Sequence, residues 1–260
     1  MSILSDLSAR PVIGHRGAAA HAPENTIPSF ALALEQGADA LELDVHLSAD
    51  GIPVVIHDSD AVRTTGVRTF VSQEPVARLR ELDAGACFTP DRGRTFPWSG
   101  RGVRVPTLDE VLAAFPEAPL LIELKTPAAQ KSVHDLIRRH RAESRIAVGS
   151  EYHEALVEFR DCDIAVAGSR REIGAHWART RIGLGSARMR CRILAVPWRW
   201  WGLSVPTNTF LRAAHRAGVA VHVWTVDLPS LAVTLWRRGA QGIVTNDPAA
   251  MVRARARLAA

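Results

Sequence analysis

Eight short apolar or β-branched runs recur along the chain, at Val12–His15, Ala40–Val45, Leu120–Leu124, Ile146–Ser150, Ile164–Ala167, Ile193–Val196, Ala220–Val226 and Ile243–Thr245. Runs of this length read as buried strands. Helix-like stretches separate most of them: Ile27–Gln36 behind an Asn-Thr cap, Leu108–Ala114 behind Pro106-Thr107, Ser132–Arg141, and Phe210–Ala217 closed by Gly218. Parallel strands need long crossovers, so this alternation predicts parallel βαβ units. Eight such units in 260 residues predict a TIM (β/α)8 barrel rather than an open doubly wound sheet.

The alternation breaks once. Between His57 and Thr107, Gly, Pro, Arg and Ser crowd Gly85–Gly102, a stretch too long for an ordinary βα loop. Ser59–Val105 is expected to be a small excursion after the second strand, with a short helix over Val76–Leu82. About 47 residues bury little core alone, so a single domain is expected over residues 1–260.

Composition narrows the function classes. At 47% apolar and 23% charged residues the chain is that of an ordinary globular protein. No apolar stretch reaches the roughly 18 residues of a membrane span, and the opening MSILSDLSARPV lacks the pattern of a signal peptide, so a cytoplasmic location is expected. The net charge is +5, from 32 cations and 27 anions, and Lys125 and Lys131 are the only lysines. The positive charge is dispersed, apart from Arg253, Arg255 and Arg257, and no nucleic-acid-binding motif accompanies it. No nucleic-acid partner is expected. Cys87, Cys162 and Cys191 lack metal or redox spacing and read as idle thiols.

The chemistry gathers at strand ends. In Leu41-Glu42-Leu43-Asp44-Val45 the two carboxylates leave one face and the apolar side chains the other; Leu121-Ile122-Glu123-Leu124-Lys125 repeats the pattern with Glu123 and Lys125. Acids converging in a barrel mouth either pair with arginines or enclose a cation, and all-oxygen donors favour Mg2+, Ca2+ or Mn2+ over zinc. His15 ends the first run, in Gly14-His15-Arg16-Gly17, and His57 ends Val54-Val55-Ile56. Catalytic groups of such barrels stand at the C-terminal ends of strands. Two histidines beside a cation suit phosphoryl chemistry, one taking a proton and the other giving one.

The succession Gly14-His15-Arg16-Gly17, Pro23-Glu24-Asn25-Thr26, Glu42-Leu43-Asp44-Val45, His57-Asp58, Glu123-Leu124-Lys125, Val223-Trp224-Thr225-Val226 and Gly242-Ile243-Val244-Thr245-Asn246 resembles the glycerophosphodiester phosphodiesterase family. The resemblance runs in order from about residue 11 to residue 248. It implies one divalent cation and hydrolysis of small glycerophosphodiesters to glycerol 3-phosphate and an alcohol. Glu42, Asp44 and Glu123 would be the metal ligands and His15 and His57 the acid/base pair. Arg16 and Lys125 would hold the phosphate, Trp224 would line the pocket, and Glu24 and Asn25 would support the site. Asn246 departs from the aspartate common after the threonine, and Glu151 from the aromatic frequent after Ser150.

Two rival functions follow from the same residues: lysophospholipase D-like hydrolysis of lysophospholipids, and a non-catalytic phosphoester-binding barrel. The second would lack an essential group, and this chain keeps both histidines, the three acids and the lysine. After the sixth run, Pro197-Trp198-Arg199-Trp200-Trp201-Gly202 concentrates three tryptophans. Trp198, Trp200 and Trp201 are expected either to pack over the barrel end or to make peripheral lipid contact.

Overall fold

The computed structural model describes residues 2–186 and 189–259. Each of the eight apolar runs supplies a strand. In chain order they are β1 (Val12–His15), β2 (Ala40–Leu47), β4 (Leu120–Leu124), β5 (Ile146–Gly149), β6 (Ala165–Val166), β7 (Ile193–Pro197), β10 (Ala220–Trp224) and β11 (Gly242–Thr245). Their lateral order is β6-β5-β4-β2-β1-β11-β10-β7, parallel throughout, and a parallel bridge from Ala167 to Ile193 closes the ring. This is a TIM barrel, with β3 (Pro53–Val55) and a small hairpin of β8 (Arg199–Trp200) and β9 (Leu203–Ser204) outside the ring.

The outer layer comprises α1 (Ile27–Glu35), α4 (Leu108–Ala114), α5 (Gln130–Arg139), α6 (Arg170–Arg181), α7 (Asn208–Arg216), α8 (Pro229–Arg238) and α9 (Pro248–Ala259), with a 3-10 helix over His153–Phe159 between β5 and β6. Among the described residues no helix is long and apolar enough to cross a membrane. Caps legible in the sequence start several helices. The Thr26 hydroxyl caps α1, and Thr107 with Glu110 forms a capping box on α4. Helix α5 starts two residues earlier than the periodicity suggests, behind the 3-10 turn Pro127–Ala129.

Period-two alternation decides what the barrel encloses. Leu41, Leu43, Val45, Leu120, Ile122 and Leu124 pack outward against the helices. Ile13, Ala40, Leu121, Ala147, Ala165, Ala167, Ile193 and Val244 pack in the lumen together with Leu4, which plugs the N-terminal end. The same inward face of β2 and β4 carries Glu42, Asp44 and Glu123.

The excursion differs from expectation at its start. It leaves the barrel at the Ser48–Gly51 turn rather than at Ser59, because β2 runs on to Leu47 and β3 folds back antiparallel on it, Val45 opposite Val55. The run before His57 is therefore not a barrel strand. His57 reaches the mouth because β3 returns towards it. The excursion contains α2 (Val62–Thr65) and α3 (Val76–Leu79), the latter shorter than the helix expected over Val76–Leu82. Its side chains gather in a cluster of their own around Val54, Val71, Leu79 and Val105, against Trp98.

Candidate active site

Strand register assembles the charged groups. β1–β2 pairing places His15 beside Glu42, and β2–β4 pairing places Asp44 opposite Glu123. One carboxylate oxygen from each of Glu42, Asp44 and Glu123 lies within 4.8 Å of the others. Lys125 Nζ reaches Asp44 Oδ1 at 2.9 Å and Glu123 Oε1 at 3.0 Å, and Arg16 Nε stands 3.2 Å from Asp44 Oδ2. Burial, then the neighbouring carboxylates, pushes the Glu42 carboxyl well up. Burial also raises Glu123 against the opposing pull of Lys125. For Asp44 burial acts upward too, but Lys125 and Arg16 outweigh it and hold the carboxyl low. The two cations thus leave the third acid uncompensated. A hard divalent cation fits this all-oxygen cluster.

The segment after β1 is built for this cluster. Arg16 and Asn25 both adopt left-handed backbone, with φ of 53° and 57°, a conformation costly for arginine and tolerated by asparagine. That turn aims the Arg16 backbone N–H at Glu42 Oε2, 3.0 Å away. It requires Gly17, where a Cβ would fall 2.3 Å from Ser29 Oγ. With Thr26 capping α1, Asn25 is free to clamp Asp44, donating from Nδ2 at 2.9 Å and accepting the Asp44 N–H at 3.3 Å. Glu24 accepts from Arg16 at 2.8 Å and from Arg63 at 2.6 and 2.9 Å.

The two histidines have unlike partners. His15 Nδ1 lies 2.7 Å from Asn246 Oδ1. Asn246 donates from Nδ2 and from its backbone N–H to Asp227, both at 2.8 Å, and Thr245 Oγ1 donates to the same carboxylate at 2.9 Å. With the Asn246 amide so held, its oxygen faces His15, which must donate from Nδ1 and leave Nε2 free. Burial, then the Arg16 charge, holds His15 below its ordinary range. His57 Nδ1 instead lies 2.7 Å from Asp58 Oδ1, and Arg63 Nε donates to Asp58 Oδ2 at 2.5 Å. Burial pushes the Asp58 carboxyl up, but the His57 and Arg63 hydrogen bonds overcome it. His46 Nε2 donates to the His57 carbonyl at 3.0 Å and fixes that backbone.

Both histidines, Arg16, Lys125, Glu42 and Glu123 line one cavity of about 330 Å3, floored by Leu121, Ala167, Ala195 and Val244. Trp224 stands at its rim, 39% exposed, not in the core. Glu151 lies at the mouth with Arg170, 3.7 Å from it. The structure thus brings His15, His57, Arg16, Lys125, Trp224, Glu24, Asn25, Glu42, Asp44 and Glu123 to one end of the barrel, with Arg16 and Lys125 engaged by carboxylates. Arg63, His46 and Asp227 were not legible. Arg63 lies in the excursion with no motif around it, whereas Asp227, three residues beyond the end of the strand bearing Trp224, was the available signal for a carboxylate behind Asn246.

A model of the glycerophosphoryl diester phosphodiesterase family matches residues 15–250. A glycerophosphodiester phosphodiesterase of Caldanaerobacter subterraneus is 30% identical over 248 residues, covering 93% of this chain and 96% of its own. The structure of an Oleispira antarctica phosphodiesterase in complex with the product sn-glycerol-3-phosphate superposes with a TM-score of 0.79 at 27% identity, over 98% of this chain and 100% of that one. A glycerophosphodiester phosphodiesterase from Agrobacterium tumefaciens superposes with a TM-score of 0.75 at 26% identity, over 94% and 99%. A barrel of this topology matched over nearly its whole length places the chain in the glycerophosphoryl diester phosphodiesterase family, as a phosphodiester hydrolase.

Proposed function

We propose that the chain hydrolyses glycerophosphodiesters to glycerol 3-phosphate and an alcohol with one divalent cation, Mg2+ or Ca2+ with Mn2+ as a substitute, His15 acting as general base and His57 as general acid. The unlike settings of the two imidazoles carry this reading. His15, neutral and with Nε2 free, accepts the proton of the attacking oxygen as the new P–O bond forms. His57, backed by the Asp58 carboxylate, gives its proton to the alcohol oxygen as the old P–O bond breaks. Glu42, Asp44 and Glu123 would hold the cation, which when bound supplies charge neutralisation at the phosphate oxygens. Lys125 and Arg16 add positive charge on the same side, and Asn25 and Glu24 keep Asp44 and Arg16 in place. The glycerol 3-phosphate bound by the Oleispira relative is the product expected here.

The test is release of glycerol 3-phosphate from a panel of glycerophosphodiesters, with and without chelator, by the wild type and by His15→Ala and His57→Ala. Turnover lost with either histidine and with the metal is expected. Full activity in the chelated protein or in either variant would overturn the mechanism.

A further inference from the structure

The cavity is not charged throughout. Away from the carboxylates it continues as an apolar chamber in which Ile173, Gly174 and Trp177 of α6 face Pro197, Trp200 and Val205. Gly174 is the unusual member. It lies inside α6, where glycine destabilises a helix relative to alanine, yet its backbone is not left-handed and a Cβ there would meet nothing within 4 Å. Gly168, by contrast, is required by contact, since its Cβ would come 2.8 Å from Leu194 Cδ2. What Gly174 provides is room in the chamber.

The chamber has an apolar outlet. Trp200 lines it and is 47% exposed; beyond, Trp201 is 91% and Leu203 52% exposed on the β8–β9 hairpin. Trp201 and Gly202 turn that hairpin with φ of 51° and 79°, and its tip is exposed. The hairpin is tied to both ends of α6: the Arg170 guanidinium stacks 5.6 Å from the Trp200 ring, and Arg181 donates to the Ser204 carbonyl at 3.1 Å. Trp198 packs inward instead, against the buried side chains of the β7–β11 half, so the three tryptophans expected to act together divide between core and rim.

We propose that the chamber between α6 and the β8–β9 hairpin is a subsite for one hydrocarbon chain of the substrate, so that single-chain lysophospholipids are preferred over glycerophosphodiesters without a chain. This rests on the phosphodiesterase reading above and adds its substrate class. A compact apolar alcohol would call for a closed pocket; a chamber that opens past Trp200 onto exposed Trp201 and Leu203 suits a chain longer than itself.

The experiment compares choline release from glycerophosphocholine and from dodecanoyl lysophosphatidylcholine, both below micelle-forming concentration, by the wild type, Gly174→Ala and Gly174→Leu. The wild type should favour the chain-bearing substrate at least tenfold in kcat/KM. Gly174→Leu should cut that ratio at least tenfold, chiefly through KM, while raising Tm, and Gly174→Ala should fall between. A wild-type ratio at or below one, or one unchanged in a folded Gly174→Leu protein, would overturn the proposal. Binding of dodecylphosphocholine, read by tryptophan fluorescence, decides the subsite independently of turnover. If neither substrate releases choline the phosphodiesterase reading fails, while binding weakened by Gly174→Leu still supports the subsite and no binding to the wild type overturns it.

Discussion

His15 Nδ1 lies 2.7 Å from Asn246 Oδ1, and Asn246 is itself oriented by two hydrogen bonds to Asp227, so the base of the proposed reaction is steered by a neutral amide with a carboxylate one step behind it. Asn246→Leu should remove the acceptor without touching substrate. Loss of a partner that orients a functional imidazole lowers activity about 10–100-fold, and here the loss should appear in kcat with KM nearly unchanged. An unaltered kcat would mean that the His15 ring is held by packing alone.

The acid and base roles separate by leaving group. His15→Ala and His57→Ala should each lower kcat for glycerophosphocholine by about 10²–10⁴-fold. With a p-nitrophenyl phosphodiester, whose leaving group needs no proton, His57→Ala should regain most of its rate and His15→Ala should not. Rescue of His15→Ala instead would reverse the assignment.

The acid limb of the pH profile follows from His15. Its folded value lies below the ordinary 6.5, first through burial and then through Arg16, so the base stays neutral, and turnover persists, below pH 6.5. Rate should fall only as pH drops through that depressed value. A half-maximal acid limb above 6.5 in kcat/KM would contradict this.

A cation should stabilise the fold as well as support turnover, because it binds the folded cluster of Glu42, Asp44 and Glu123 in preference to the unfolded chain. At a hundred times its dissociation constant it adds about 2.7 kcal/mol, read as a rise in Tm on adding Mg2+, Ca2+ or Mn2+ to chelated protein. Glu42→Gln/Asp44→Asn should abolish that rise. A rise that survives in the variant would place the ion elsewhere.

His222 makes stability pH-dependent at the other end of the barrel. Its ring is fully buried, donating from Nε2 to the Leu4 carbonyl at 2.8 Å, and burial pushes its pKa down to about 4. The unfolded chain protonates His222 near 6.5 and the folded one does not, so its neutral form stabilises the fold fully above pH 6.5. As pH falls from 6.5 to 4 that contribution, about 3 kcal/mol at most, is lost. Tm of the wild type should drop more over this interval than that of His222→Gln. Parallel curves would remove His222 as the cause.

Local pattern was enough for the architecture and for the candidate groups of the site. Strand and helix periodicities were local, so the eight strands emerged, and the spacing of Glu42 with Asp44 and of Glu123 with Lys125 put each pair on one strand face before any contact was known. How those groups are held depends on long-range packing. His57 reaches the mouth through β3, an antiparallel arm whose direction no local pattern specifies. Arg63 joins Glu24 to Asp58 across 39 and 5 residues of chain, and Asp227 stands behind Asn246 because β10 and β11 are neighbours in the barrel. Likewise, the meaning of Gly174 depends on the space beside it, which exists only once α6, β7 and the hairpin have packed around the mouth. Local chemistry is written in neighbouring residues, whereas hydrogen-bond partners and cavities arise from segments far apart in the chain, brought together by closure of the barrel.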